Sequence, residues 1–233
     1  MNLLLIKPTE LLNGTVVLKD QRAGHIIKNL KSKVGDNLRA GIVDGQIGTA
    51  SIVEINQTSV TIDFKPEKTS PKPKEVTLIL ALPRPKAFRR ILFSAVSCGV
   101  KDIHIINTWR VEKSYWSSPY ISADNVEAYC LEALAQSKDT IMPKIYFHRF
   151  FTSFIEEVLP TIPTDRARVI AHPYGESIGT PTEPVTIAVG PEGGFIEREV
   201  ETFLEHGFRS FSTGERTLTT EHFVPFVLGK LLK

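Results

Sequence analysis

The stretch Val185-Thr186-Ile187-Ala188-Val189-Gly190-Pro191-Glu192-Gly193-Gly194-Phe195 decides how this chain folds. Its first five residues are apolar and mostly β-branched, the composition of a strand buried on both faces. Gly190, Pro191, Gly193 and Gly194 then form a tight loop in which missing Cβ atoms let the backbone approach a ligand. A helix is expected next. Phe195, Val200, Phe203 and Leu204 form its apolar side, and Glu197, Glu199 and Glu201 lie early, near the positive end of its dipole. Strand, glycine loop and helix in that order make a common ligand site in α/β proteins; a purely structural turn has the same spacing. The loop is neither GxGxxG nor a loop ending in GK[ST], so no dinucleotide fold or P-loop is supported.

Working outward, strands alternate with helices. Val76–Leu82, Ile103–Ile106, Ile145–Phe147, Arg168–Ala171 and Phe208–Phe211 are the other expected strands. Phe88, Ile91, Leu92, Ala95 and Val96 recur at helical spacing and leave Arg89 and Arg90 off the apolar face, with Gly99 ending the helix. Asp124 with Glu127, and Ser153 with Glu156, read as capping boxes of two more helices. Residues from about 220 onward read as a last helix. This alternation predicts a mostly parallel sheet covered on both faces.

Residues 1–70 read differently. Thr15–Leu18, Asn37–Val43, Ile47–Val53 and Val60–Phe64 are short strands, His25–Lys31 is a short helix, and Asp44-Gly45 is a hairpin turn. A small β-barrel is expected here. Pro66, Pro71 and Pro73 among the lysines of Lys65–Lys74 mark a linker. The expected domains are therefore 1–70 and 75–233.

Composition narrows the function. The formal net charge is only +2 over 233 residues. Between Lys65 and Lys101, however, nine basic residues face only Glu67 and Glu75. A basic band in a near-neutral chain suits an anionic partner, or a solvated linker and helix face. Cys98 and Cys130 form no CxxC, so neither a disulfide framework nor a metal site is expected. Met1–Ile6 is too short for a signal segment and no apolar run reaches membrane-spanning length, which sets the expectation of a cytoplasmic protein with no membrane partner.

In a parallel sheet, ligands gather at the carboxyl ends of strands. Three glycine-bearing loops are expected there: His172-Pro173-Tyr174-Gly175, Gly190–Gly194, and Ser212-Thr213-Gly214-Glu215-Arg216-Thr217-Leu218. On these residues the chain resembles the RsmE family of ribosomal RNA methyltransferases, within the SPOUT superfamily, over nearly its whole length. Gly190-Pro191-Glu192-Gly193-Gly194-Phe195 matches the family's GPEGGF loop, and His172-Pro173 its first loop. Gly214, Arg216, Leu218 and Glu221 match part of its GxRILRxE loop. His25, Val34-Gly35-Asp36 and Asp44-Gly45 resemble its RNA-binding barrel, and Gln136-Ser137 with Pro143 a helix-end motif.

The resemblance implies a C-terminal α/β domain with a deep trefoil knot, an exception to unknotted topology, and a PUA-like N-terminal β-barrel. It implies S-adenosylmethionine as cofactor, held by His172, Pro173, Gly190, Pro191, Glu192, Gly193, Gly194, Gly214 and Leu218. It further implies a homodimer that methylates a uridine at N3 in small-subunit (16S) ribosomal RNA. A non-catalytic RNA-binding protein, or an enzyme of the same fold with another RNA target, are the rival readings. Arg216 is the candidate cation for an anionic uracil or for placing the RNA, or a structural donor to loop carbonyls. Glu221 is a candidate general base, a helix cap, or the partner of an arginine. Lys28, Lys31, Arg84, Lys86, Arg89, Arg90 and Arg110 are the RNA-binding candidates. Trp109, Tyr115 and Trp116 suit base stacking or a dimer interface equally.

Several positions depart from the family pattern. Thr219 stands where it has arginine, His222-Phe223 where it has Thr-Ala, Ala135 and Asp139 where glutamate and arginine are usual, and Ser97 in place of a glutamate. Pro225 is expected to delay or kink the last helix. Target choice and turnover are what these changes touch.

Overall fold

The computed structural model describes residues 2–177 and 184–231. Contacts divide the chain into two compact units, Met1–Lys72 with Leu131–Met142, and Pro73–Cys130 with Pro143–Lys233.

The first unit is built on a five-stranded sheet in the order β1-β3-β4-β5-β2. Its strands are β1 (Leu4–Ile6), β2 (Thr15–Leu18), β3 (Asn37–Ile42), β4 (Ile47–Ile55) and β5 (Val60–Lys68). Alternation places Val16 and Leu18 of β2 and Val60, Ile62 and Phe64 of β5 in one core with Leu4, Ile6, Ala50 and Ile52. The β3–β4 hairpin turns where expected: Gly45 N–H bonds Ile42 O (2.8 Å), and Asp44 takes the left-handed φ of 58°. Strand β1, parallel to β3, is an element the sequence pattern did not announce. It is held by Arg22, which donates to Leu5 O (2.7 Å) and pairs with Glu10 and Asp20. The short helix begins earlier than expected. Asp20 caps α1 (Gln21–Gly24), which runs on as a π turn over His25–Leu30.

Two expectations about the boundary change. Lys65–Lys68 belong to β5, so the linker shrinks to the residues around Pro71 and Pro73. Segment 131–142, far away in sequence, joins the first unit. The hairpin turn explains why. Thr140 Oγ1 donates to Gly45 O (2.6 Å), Asp44 N–H donates to Thr140 O (2.8 Å), and Met142 N–H donates to Asp44 Oδ1 (2.8 Å). Asp139, one of the departures, is buried. Its Oδ1 accepts from the Ser70 hydroxyl (2.8 Å) and from Ile141 N–H (2.9 Å).

The second unit holds a six-stranded sheet in the order β11-β9-β10-β6-β7-β8, with every neighbouring pair parallel. The strands are β6 (Lys74–Ala81), β7 (Val100–Ile106), β8 (Lys144–His148), β9 (Ala167–Ser177), β10 (Val185–Val189) and β11 (Arg209–Ser212). All five residues of β10 are buried, as a central strand requires. The helices are α2 (Pro85–Ser97), α3 (Ala123–Ser137), α4 (Phe151–Ser153, continuing as a π turn over Phe154–Val158), α5 (Glu197–Glu205) and α6 (Thr220–Leu231). Helix α2 buries Phe88, Ile91, Leu92, Ala95 and Val96, exposes Arg89 and Arg90, and packs on α6.

Both expected capping boxes are corrected. Helix α3 begins at Ala123, so Asp124 lies inside its first turn, and Ser153 lies within α4, whose N-cap position is Phe150. Helix α6 starts at Thr220 and includes Pro225, so the proline does not delay it. Residues 232 and 233 of that expected helix lie outside the described residues.

Between β7 and β8 sits a chain of ring contacts. His104 stacks on Tyr146 and on His148, at centroid distances of 4.9 and 5.2 Å. His104 Nδ1 lies 3.0 Å from His148 Nε2, and His104 Nε2 lies 3.4 Å from Asp102 Oδ1. One neutral arrangement satisfies both: His104 faces Asp102 with Nε2–H, and His148 Nε2–H donates to His104 Nδ1. Burial, with His104 beside it, pushes His148 down to about 4 from an ordinary 6.5. Between those values the unfolded chain binds a proton that the folded chain refuses. Stability therefore rises with pH across that window and is lost as pH falls through it. Urea unfolding of His148→Asn is expected to show a flatter pH dependence between 6.5 and 4 than the parent; equal slopes would refute this assignment.

Candidate active site

The glycine loop leaves the carboxyl end of β10 and folds back on itself. Gly194 N–H bonds Pro191 O (2.8 Å), and Gly194 has a φ of 70° that side chains rarely adopt. A Cβ on Gly193 would lie 3.0 Å from Arg110 Cδ. The Arg110 guanidinium also donates to Gly193 O. Arg110, read from sequence as an RNA contact, is thus seated against the glycine loop. Glu192 Oε1 accepts the backbone N–H of Arg84 (2.9 Å), fixing the loop to the start of α2.

The first expected loop is not a simple loop. His172–Gly175 fall within β9. The β9–β11 register jumps from Ser210↔Ile170 to Phe211↔Glu176, so Ala171–Gly175 have no partner in that register. Such a bulge re-aims the chain at a strand end. A Cβ on Gly175 would come within 2.5 Å of Phe211 N, so the backbones meet there directly.

The third loop, after β11, carries Gly214 at a φ of 120° and an exposed Arg216, which makes no ion pair among the described residues. Leu218 is 37% exposed. At its end Thr219 O accepts from the backbone N–H groups of His222 (2.9 Å) and Phe223 (2.8 Å). Thr219 Oγ1 lies 2.7 Å from His222 Nδ1. The Thr220 hydroxyl reaches Gly190 O at 3.5 Å, linking the third loop to the second. Glu221 pairs with Arg90 at 3.1 Å, which is the arginine-partner alternative for that residue.

The basic candidates separate. Lys28 and Lys31 lie exposed in the first unit, and Arg84, Lys86, Arg89 and Arg90 are exposed at the start of α2 in the second. Arg89 sits over the Tyr129 ring at 5.1 Å. Lys101 is buried, so it is no part of an exposed basic face. Trp116 is also withdrawn from any partner strand: it is 8% exposed, its indole N–H bonds Asn107 Oδ1 (2.8 Å), and Arg149 lies over it. Trp109 is 81% exposed.

Sequence reasoning passed over the role of Glu199, seen only as a residue near the helix dipole. It is buried, and both carboxylate oxygens are used. Oε1 accepts Trp109 N–H (2.7 Å) and Oε2 accepts Ile196 N–H (2.9 Å). The side chain caps α5 and ties the segment after β7 to the glycine loop.

A family model for the RNA methyltransferase domain matches residues 70–231. The ribosomal RNA small subunit methyltransferase E of Treponema pallidum is 30% identical over 230 residues, covering 95% of this chain and 86% of the relative. The chain belongs to the RsmE family. A second member, from Borreliella burgdorferi, is likewise 30% identical over 230 residues, covering 95% and 93%. Among solved structures, the Neisseria gonorrhoeae ribosomal RNA small subunit methyltransferase E, bound to S-adenosyl methionine, superposes with a TM-score of 0.74 at 21% identity, covering 98% of this chain and 95% of that one. A methyltransferase from Legionella pneumophila with bound S-adenosyl methionine gives 0.78 at 19%, covering 99% and 96%. Both share the fold.

Hydrogen bonds to a charged group contribute about 1.5–3 kcal/mol each, and orphaned buried donors add to the loss. Glu199→Ala is therefore expected to destabilise the protein by about 3 kcal/mol in urea unfolding. Hydrogen exchange should accelerate at the amides of Trp109 and Ile196. Unchanged protection of both amides would refute the anchoring role.

Proposed function

We propose that this chain transfers a methyl group from S-adenosylmethionine to N3 of a uridine in small-subunit ribosomal RNA. Family membership supports the methyl transfer, the cofactor and the RNA class. The observation that carries the site is the glycine loop at the end of the buried central strand, braced by Arg110 and Glu192. The loops also fit such a cofactor. A Cβ on Gly194 would meet nothing closer than Arg110 Nη1 at 3.9 Å, and one on Gly214 nothing within 4 Å. Backbone groups there stand beside open space.

In this reading His172, Pro173, Gly190, Pro191, Glu192, Gly193, Gly194, Gly214 and Leu218 hold the cofactor, largely through backbone. The cofactor supplies a sulfonium methyl that is already activated. The chain's own task is then alignment and charge. Uracil N3 carries a proton and is a poor nucleophile until that proton passes to solvent water. A cation nearby favours the anionic base. Arg216, exposed and without an ion pair among the described residues, fills that role. Glu221 is engaged by Arg90, so its part is to hold that arginine beside α6. Arg84, Lys86 and Arg89 meet RNA phosphates in the second unit, and Lys28 and Lys31 meet them in the first, which we assign as a PUA-like barrel. The second unit we assign as a trefoil-knot domain working as a homodimer in the cytoplasm.

Mass-spectrometric mapping of small-subunit RNA after incubation with protein and cofactor tests the reaction. A new N3-methyluridine is expected, and its absence would overturn the reading. Arg216→Ala should lower single-turnover methyl transfer by about 10²–10³, the scale of one well-placed electrostatic donor, with cofactor affinity unchanged. An unaltered rate would remove Arg216 from the chemistry.

Gly193→Val should weaken calorimetric cofactor binding by at least about tenfold. The three atoms nearest the new Cβ all belong to the flexible Arg110 side chain, so melting should change little. The same variant with Arg110→Ala separates the causes. Recovered affinity would mean that the displaced arginine, not the lost backbone approach, was responsible.

A further inference from the structure

A cavity lies in the second unit, bounded by the segment after β7, by α4 and by α5, with a volume of about 980 Å³. Thr108, Trp109 and Lys113 line it from the first, Phe151 from the second, and Arg198 and Thr202 from the third. None of the nine residues assigned above to the cofactor takes part in its lining.

Three features of this cavity point to a ligand. Trp109 is 81% exposed, although its own backbone N–H is fixed by Glu199 at 2.7 Å. A large ring on an immobilised backbone is a platform, and leaving it bare to water is unfavourable. Thr108 is 4% exposed, and its hydroxyl has no hydrogen-bond partner. A buried polar atom of that kind needs an explanation, and a turn of the side chain toward a ligand in the cavity supplies one. Lys113 and Arg198 bring positive charge, against which stand Glu156 and Glu199. The Glu199 oxygens are already turned to two backbone N–H groups.

We propose that this cavity is a subsite for an unpaired nucleotide of the RNA substrate outside the target position, its base stacked on Trp109. The assignment rests on the RNA methyltransferase reading above. An aromatic face, two cations and one hydroxyl match a base, its phosphate and its edge or ribose hydroxyl. A bare anion would have no use for Trp109 and Phe151. A peptide would not call for a stacking platform with cations beside it.

The test measures binding of a fluorescent single-stranded uridine oligomer of about six nucleotides, near the short end of common single-strand site sizes. Trp109→Ala should weaken binding by about 5- to 100-fold, as for the loss of one stacked base, and Trp109→Phe should restore most of it. Thr202→Trp, which fills the cavity from α5 and leaves Trp109 in place, should weaken binding as Trp109→Ala does. Calorimetric affinity for S-adenosylmethionine should stay at the parent value in all three. Affinity of both Trp109→Ala and Thr202→Trp within about twofold of the parent, while the parent methylates RNA, would overturn the subsite and leave the function standing. A parent that neither binds the oligomer nor methylates RNA would overturn the function itself. Unchanged RNA affinity with a changed oligomeric state in Trp109→Ala would assign the face to a second copy of this chain and overturn the subsite.

Discussion

The site depends on one buried carboxylate. Glu199 accepts the backbone N–H groups of Trp109 and Ile196, which lie in segments separated by about half of the second unit's sequence. Burial of a carboxylate is costly unless its oxygens are engaged, and here each has a donor within 2.9 Å. The consequence spreads to both sides. Ile196 is the cap position of α5, so the glycine loop must end there. Trp109 precedes Arg110, so the arginine that packs on Gly193 starts from a fixed backbone. Arg110 then contacts Gly193 O, and Glu192 holds the start of α2. A glycine-rich loop has high backbone freedom and loses much of it on folding. These side-chain contacts set its shape from outside, and of its glycines Gly194 keeps the most open Cβ direction.

The sheet makes this possible by presenting strand ends side by side. Strand β10, buried throughout, sits between β9 and β6 and runs parallel to both. The segments leaving β9, β10 and β11 therefore start from neighbouring positions. The jump in the β9–β11 register brings Ala171–Gly175 out of line, and Gly175 lets the chain return against the Phe211 backbone. Residues with any Cβ at 175 would push β9 and β11 apart. The strain-free solution is one glycine at one place, and the candidate residues His172 and Pro173 lie inside the resulting bulge.

Much of this was legible because it is local. The five apolar residues of β10, the glycines that follow and the helical spacing from Phe88 to Val96 each carry their periodicity in a few residues. The Asp44-Gly45 turn is legible for the same reason. What escaped is non-local or too short to have a period. Strand β1 has three residues, and its reason for existing is a parallel partner more than thirty positions away and the reach of Arg22. Segment 131–142 reads as a helix end in sequence. Its place in the first unit comes from Thr140 and Met142 meeting the hairpin turn. Glu199 has the same appearance as its neighbours Glu197 and Glu201, which are exposed, and only the fold shows which of the three turns inward. The two capping boxes failed because Asp124 and Ser153 lie one or more positions inside their helices.

The departures from the family pattern also change meaning in three dimensions. Read singly, Thr219 is a lost arginine and His222 an odd replacement. In the structure they form a pair, with Thr219 Oγ1 2.7 Å from His222 Nδ1 and Thr219 O accepting the amides of His222 and Phe223. A short hydroxyl at a helix start suits that geometry, and the histidine three positions on completes it. Asp139 is similar. Where arginine is usual, this chain places a buried carboxylate that takes the Ser70 hydroxyl and Ile141 N–H, and Thr140 N–H in turn bonds Ser70 Oγ (2.9 Å). An arginine there would bring a long cation to a position only 5% exposed and would remove the acceptor that both donors use. These positions have been rebuilt as local sets, with partners that fit each other. The cation that remains in the third loop is Arg216, and it is exposed.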